Sequence, residues 1–324
     1  MKPTAKTLLT AMTAGATLLF NAASVQADER LLIGSTSSSS SHYSYFVALN
    51  QIINDNVEGV SSSVTETGAT VDNLKRMSRG QIDLGLVTTN TGYQAAEGLG
   101  DFEGRPVESQ LLWVYTMAPQ NVVVREDADV DSLEALEGVR FNPGITGSAT
   151  ESTTEAVMEA LGIAPDYVRG STGDVVDSIK DDRVAGYVKS GVGEKLDGST
   201  MDIATSTPIR VLSLTDEQAD TLREEMKDIA VVDIPEGAGD DIPAYTTWAF
   251  GVAVHATPDL DEEIAYQIVK AAMEDQEVQA NAFSAIEDAD LADMTMKVGT
   301  VALHPGAARY FEEQGVEIPD ALQP

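Results

Sequence analysis

Residues 31 to 53 read Leu31-Leu32-Ile33-Gly34-Ser35-Thr36-Ser37-Ser38-Ser39-Ser40-Ser41-His42-Tyr43-Ser44-Tyr45-Phe46-Val47-Ala48-Leu49-Asn50-Gln51-Ile52-Ile53. An apolar strand runs into a hydroxyl-rich turn, and a helical pattern follows over Tyr43–Ile53. The same order returns twice. Ile82–Val87 leads through Thr88-Thr89-Asn90 to a helical pattern from Thr91 to Glu97. Val139-Arg140-Phe141 leads through Asn142-Pro143-Gly144-Ile145-Thr146-Gly147-Ser148 to one over Ala149–Leu161. Each junction offers backbone N–H groups and hydroxyls at the positive end of a helix, where a carboxylate or phosphate binds well. In an open α/β sheet such junctions fall at the carboxyl ends of the strands, where ligands bind. The pattern points to a binder of a small anionic molecule.

Working outward, the chain alternates strand and helix, which predicts an α/β fold with mostly parallel sheets. Val60–Thr65 reads as a strand, Glu66-Thr67-Gly68 as a turn, and Ala69–Arg79 as a helix stopped by Gly80. Leu111–Tyr115 and Val122-Val123-Val124 flank Ala118-Pro119-Gln120, a first crossover between two lobes. Further on come a short strand near Tyr167-Val168, a helix over Gly173–Asp181 and a strand over Val184–Val188. Pro235–Pro243 reads as a loop, Thr247–Val254 as a returning strand, and Asp259–Met273 and Pro305–Gln314 as closing helices. The expected division is residues 28–118 and 246–324 in one lobe and 119–245 in the other. The five-serine run also suits a flexible linker, but its place between strand and helix favours a binding loop.

Residues 1–27 have the pattern of a secretory signal: Lys2 and Lys6, an apolar Leu8–Phe20, then Val25-Gln26-Ala27 at the cleavage positions. A retained membrane helix is the alternative, but the stretch is short and rich in Ala and Thr. A free periplasmic protein starting near Asp28 is expected. The sequence holds no cysteine, so neither a disulfide framework nor a lipid-modified cysteine is available. The net charge is −33, and loss of Lys2 and Lys6 makes it two units more negative. The acids are spread along the chain, which suits a solvated surface and argues against nucleic acid as partner. A saline habitat, where salt screens self-repulsion, would accommodate that charge.

Candidate ligand-binding residues follow from the junctions. Ser39 and Ser40 donate at the first helix end, with the Tyr43 phenol at the cleft edge, although an aromatic there also suits the core. Thr67, Gly68 and Ala69 form a second helix start, and Thr88, Thr89 and Asn90 a third; in both, the hydroxyls also suit simple capping. Thr146, Gly147, Ser148, Ala149 and Thr150 form the strongest group, because Gly147 permits close backbone approach. Lys189, beside Ser190, follows a strand and could neutralise an anion, though a solvated surface lysine is the plain alternative.

Enzyme readings find little support. His42, His255 and His304 are the only histidines, with no metal-ligand spacing and no G-x-S-x-G elbow. Asp127-Ala128-Asp129-Val130-Asp131 imitates the start of a calcium loop, but Ser132 and Gly138 stand where its glycine and glutamate belong. His304 before Pro305 suits a helix entry. No cofactor or metal is expected.

Several segments taken together resemble the TAXI family of TRAP-associated extracytoplasmic solute receptors. Leu303-His304-Pro305-Gly306-Ala307-Ala308-Arg309-Tyr310-Phe311-Glu312-Glu313-Gln314-Gly315 looks like the family's end. Glu66–Leu74 is similar to its "EGSVANL" segment, Arg79–Gly85 to "SGEADLG", Gly98–Gly104 to "G-x-G-x-F-x-G", and Gly144–Glu151 to "G-x-x-GSGT". The first loop departs: serines replace most glycines, His42 replaces the first of two tyrosines, Tyr43 keeps the second, and Phe46 stands where glycine is usual. The resemblance implies a two-lobed periplasmic-binding fold of type II-like form with two crossover hinge strands. It also implies capture of a small carboxylate, such as glutamate or 2-oxoglutarate, for delivery to a TRAP membrane permease. A periplasmic module that presents its closed form to a membrane sensor is the alternative; neighbouring permease genes would separate the two. A Ser/His hydrolase is a third class, and fluorophosphonate labelling would detect it.

Overall fold

The computed structural model describes residues 29–275 and 277–324. The expected export segment, residues 1–27, and Asp28 lie outside them. The first half of the chain supplies β1 (Glu29–Gly34), α1 (Ser41–Asn56), β2 (Val60–Thr65), α2 (Thr70–Met77), β3 (Leu84–Thr88), α3 (Thr89–Glu97) and β4 (Gln110–Arg125). There follow β5 (Arg140–Asn142), α4 (Ala149–Ala160), β6 (Asp166–Tyr167), α5 (Thr172–Lys180), β7 (Gly186–Ser190), α6 (Gly198–Ala204), β8 (Ile209–Leu212) and α7 (Asp216–Glu225). The rest comprises β9 (Ala230–Ile234), β10 (Tyr245–Ala256), α8 (Glu262–Glu274), α9 (Val278–Ala282), α10 (Leu291–Val298) and α11 (Pro305–Glu313). Among the described residues no helix is long and apolar enough to cross a membrane.

The strands run β2-β1-β3-β10-β4-β7-β5-β6, with β8 beside β4 and β9 beside β10. Parallel pairing joins β2, β1 and β3 on one side and β7, β5 and β6 on the other. Between them, β4 and β10 are antiparallel and long enough to serve both halves. The first part of β4, to Pro119, pairs with β10, and the next residues, from Gln120 to Val124, pair with β7. Likewise Tyr245–Ala249 of β10 pairs with β9, and Val252–Ala256 with β3. Two lobes thus share two continuous strands. Ala118-Pro119-Gln120, the expected first crossover, is the middle of one continuous strand. Pro119 has no N–H to give the ladder, while its carbonyl accepts from the Gly191 amide at 2.8 Å.

Apolar patterning accounts for the packing. All five residues of β3 are buried, as a parallel strand covered on both faces requires. Tyr45, Phe46, Leu49 and Ile53 turn one face of α1 onto Trp113 and Tyr115 of β4 in the larger core. Phe46, standing where the resembled family has glycine, is part of that core. A second core gathers Val122, Val124, Phe141, Met158 and Trp248. Helix ends follow local chemistry: Gly80 takes φ +62° after α2, and Gly98 closes α3 at φ +66°. His304 is the N-cap of α11, with Pro305 in its first turn. The strand expected over Val184–Val188 begins two residues later. At Gly186 the chain crosses β4 so closely that a Cβ would lie 2.1 Å from the Val123 carbonyl oxygen. That shift places Lys189 inside β7 and not beyond its end.

Candidate functional site

A cavity of about 40 Å³ lies between the two halves, at the carboxyl ends of the strands. Four strand–helix junctions reach it: Thr36, Ser40 and His42 before and in α1, Ala69 and Thr70 at α2, Thr88 before α3, and Ile145, Ser148, Ala149 and Thr150 at α4. Lys189 and Ser190 of β7, with Leu86 and Val252, complete the wall. Of the candidates read from sequence, the structure brings together Ser40, Ala69, Thr88, Ser148, Ala149, Thr150, Lys189 and Ser190.

The others have different surroundings. Ser39 is exposed, and Tyr43 is half-buried on the flank of α1, outside the cavity wall. Helical phase turns His42 inward instead. Thr67 donates to the Ser35 carbonyl at 2.7 Å and accepts from the Ala69 amide, which shapes the turn itself. Thr89 Oγ1 accepts from the Gly251 amide at 3.0 Å. Asn90 Nδ2 reaches Thr153 Oγ1 on α4 at 2.9 Å, tying α3 to α4. Gly68, Thr146 and Gly147 meet one another. The Gly147 carbonyl accepts from the Val71 and Asp72 amides at 3.0 and 3.1 Å, so the opposite lobe caps α2. That helix has no side-chain cap of its own, and Ala69 before it sits at φ +68°. A residue other than glycine is strained there, and surrounding contacts must hold it.

Lys189 is the charged group of the wall. Its ammonium donates to Ser40 Oγ at 2.9 Å and lies 3.7 Å from Asp197 Oδ1. An ammonium has three donors, so two remain for a ligand. Asp197 itself is fully buried and accepts four hydrogen bonds. Oδ2 takes the Ser41 amide at 2.9 Å and Ser40 Oγ at 3.2 Å across the interface. Oδ1 takes the Ser199 amide and hydroxyl at 2.9 and 2.6 Å. Burial alone would raise this carboxyl, but Lys189 and the Ser199 donors outweigh it and hold it below the ordinary range. Asp197 is a carboxylate at neutral pH.

His42 supplies a neutral donor. Burial, with the nearby Lys189 charge, lowers it from 6.5 to about 4. Its Nδ1 lies 2.8 Å from the Tyr115 hydroxyl, while Nε2 has no partner. If Nδ1 held the proton, the Tyr115 hydrogen would lack an acceptor; the satisfied arrangement has Tyr115 donating and Nε2 carrying the proton. The Thr88 hydroxyl is likewise buried and unpartnered. Ser148 Oγ caps α4 by accepting from the Glu151 amide at 3.1 Å, which leaves its own hydrogen and the Ala149 and Thr150 amides free. Thr150 and Ser190, by contrast, lie within 2.9 and 3.1 Å of Gln120 Oε1 and 3.0 Å of each other, so their hydrogens are spent among these three groups. The wall is rich in donors and poor in free acceptors. Sequence reasoning missed His42 as a site residue; its loss of the expected tyrosine at a loop position was the available signal. Thr36, Thr70, Leu86, Ile145 and Val252 carried no such mark. Among the described residues no cluster of three His, Asp or Glu is placed to hold a metal.

Two α/β lobes sharing two long strands, with a cavity between them, define the periplasmic-binding-protein fold. Solved structures agree. A putative L-cystine ABC transporter from Listeria monocytogenes superposes with a TM-score of 0.52 at 11% identity, over 80% of this chain and 97% of that one. The periplasmic binding protein BugD gives 0.51 at 14% identity, over 90% and 99%. A further periplasmic transporter gives 0.51 at 14%, over 88% and 93%. At such identities the likeness is one of fold. The sequence profile of the NMT1-like family matches residues 33–315, and the chain belongs to that family.

Proposed function

We propose that this protein is an extracytoplasmic solute receptor that captures a small carboxylate in the cavity between its lobes and delivers it to a membrane permease. The resemblance to TAXI receptors makes a TRAP permease the proposed partner, and residues 1–27 the proposed export signal to the periplasm. In this reading residues 28–118 and 246–324 form one lobe and 119–245 the other. Hinges lie at Ala118–Val124 and Ala244–Gly251, where β4 and β10 change partners. Binding and closure, not covalent chemistry, are its work.

The observation that carries the anionic ligand is Lys189: a buried ammonium on the cavity wall with one hydrogen bond of three made. Around it, Thr88, the Ser148 hydroxyl and two α4 amides all offer hydrogens and lack acceptors among the described residues. A carboxylate satisfies such a set, and charge-assisted bonds are the strong ones. The test is calorimetry of the wild type and Lys189→Met against a panel of small carboxylates, with circular dichroism as the folding control. Loss of this charge-assisted contact is expected to weaken binding by about 1.5–3 kcal/mol, roughly ten- to a hundredfold. A carboxylate ligand held equally well by the folded variant would show that it binds elsewhere.

A further inference from the structure

The anion nearest Lys189 is already part of the protein. Asp197 takes the place at the α1 N-terminus that a ligand carboxylate would otherwise fill, accepting the Ser41 amide and the Ser40 hydroxyl from across the lobe interface. With the Ser199 amide and hydroxyl on its other oxygen, its acceptor positions are occupied. Lys189 stands between this carboxylate and the cavity. The two charges cancel, His42 is neutral, and among the described residues no other ionisable side chain lines the wall.

We infer that Asp197 is a specificity-determining residue: as a built-in counter-ion of Lys189, it restricts the site to ligands bearing one carboxylate and no second charge. The inference rests on the carboxylate-receptor reading above and narrows it. A monocarboxylate leaves the buried group of charges at minus one, with the ammonium bridging two carboxylates. A dicarboxylate places a second negative charge in the enclosure, where hydroxyls are available but a second cation is not. Burying an unpaired charge is costly. An α-ammonium would restore the charge balance but finds no carboxylate to pair with, because both oxygens of Asp197 are already taken by Ser40, Ser41 and Ser199. Dicarboxylates and acidic amino acids, the ligands expected from the resemblance, are then disfavoured.

Calorimetry on the full mature protein with probes of matched length tests this. The probes are 2-hydroxybutyrate and 2-oxobutyrate, 2-aminobutyrate, malate and succinate, then 2-oxoglutarate and glutamate. The monocarboxylates without ammonium are expected to bind at least tenfold tighter than every other probe. Asp197→Asn keeps the shape and uncovers the Lys189 charge, so the margin over malate and succinate is expected to shrink at least threefold. Wild type holding a dicarboxylate or amino acid as tightly as the monocarboxylates overturns the inference and leaves the receptor reading standing. A folded Asp197→Asn with an unchanged margin also overturns the role of Asp197. Failure of every carboxylate to bind wild type removes the carboxylate reading and this inference together. The wild-type panel decides the selectivity even if the variant does not fold.

Discussion

The first and fourth helices begin alike and end up in opposite situations. Each has a serine N-cap after a hydroxyl-rich turn, Ser40 for α1 and Ser148 for α4, and each cap accepts a backbone amide of its own first turn. At α1 the remaining amide of the first residue, Ser41, is taken by Asp197 from the other lobe. At α4 the residues Ser148, Ala149 and Thr150 line the cavity, and the Ala149 and Thr150 amides and the Ser148 hydrogen have no partner among the described residues. One helix end is closed by the protein's own carboxylate, and the other is left for a solute. The general preference of helix N-termini for anions does not say whose anion arrives.

Breaking the α1 side should have the largest effect. Asp197→Ala leaves Lys189 buried without its counter-charge, strips the Ser41 amide of its acceptor and uncaps α6. A destabilisation of about 3–5 kcal/mol is expected by urea unfolding. A change below about 1 kcal/mol would mean that solvent reaches this pair and that the two helix ends are equivalent after all.

Acid should probe the same end of the molecule. His42, in the first turn of α1, is lowered to about 4, and His255, buried on β10, to about 3. A folded value below the unfolded 6.5 means that the unfolded chain binds more protons in between, so stability is complete above 6.5 and falls as pH drops toward the folded values. Each histidine should remove roughly 2 kcal/mol between neutral pH and pH 5. The loss in His42→Gln should be smaller by that amount; an identical pH profile would place His42 in a wetter setting than its burial indicates.

The seam between the lobes offers a sharper cut. A Cβ on Gly68 would meet the Thr146 carbonyl oxygen at 2.7 Å, yet its backbone is not in the left-handed region. Gly68→Ala should therefore fold normally and resist closing. Overpacking costs about 1–3 kcal/mol, which corresponds to roughly five- to a hundredfold weaker ligand binding. X-ray scattering with saturating ligand should show less compaction than wild type, and equal compaction would argue against this contact as part of closure. The smallest effect on stability belongs to Ser148→Ala. Loss of the cap removes about 1 kcal/mol, seen as a shifted urea midpoint. A loss as large as that of Asp197→Ala would abolish the contrast between the two helix ends.

Much of the fold was legible because it rests on local chemistry. Val60–Thr65 was read to the residue from its position between turn signals, and Gly80, Ser148 and His304 mark helix ends through backbone geometry and capping that act within a few residues. The helix over Gly198–Ala204 was not foreseen. Its short run GSTMDIA carries no amphipathic period, and its N-cap Asp197 therefore drew no notice. That omission matters, because Asp197 is what turns the first junction from a ligand site into a structural contact.

By itself, then, the sequence determined the alternation of strand and helix, the hydroxyl-rich junctions and the presence of a cation among so many acids. Those features depend on neighbours along the chain. Only the tertiary structure decided which junction faces the cavity and which is sealed. That choice was made by Lys189, Ser40 and Asp197, which are separated by up to 157 residues and meet only when the lobes come together. Buried charges select their partners by distance in space, and no pattern along the chain encodes that distance.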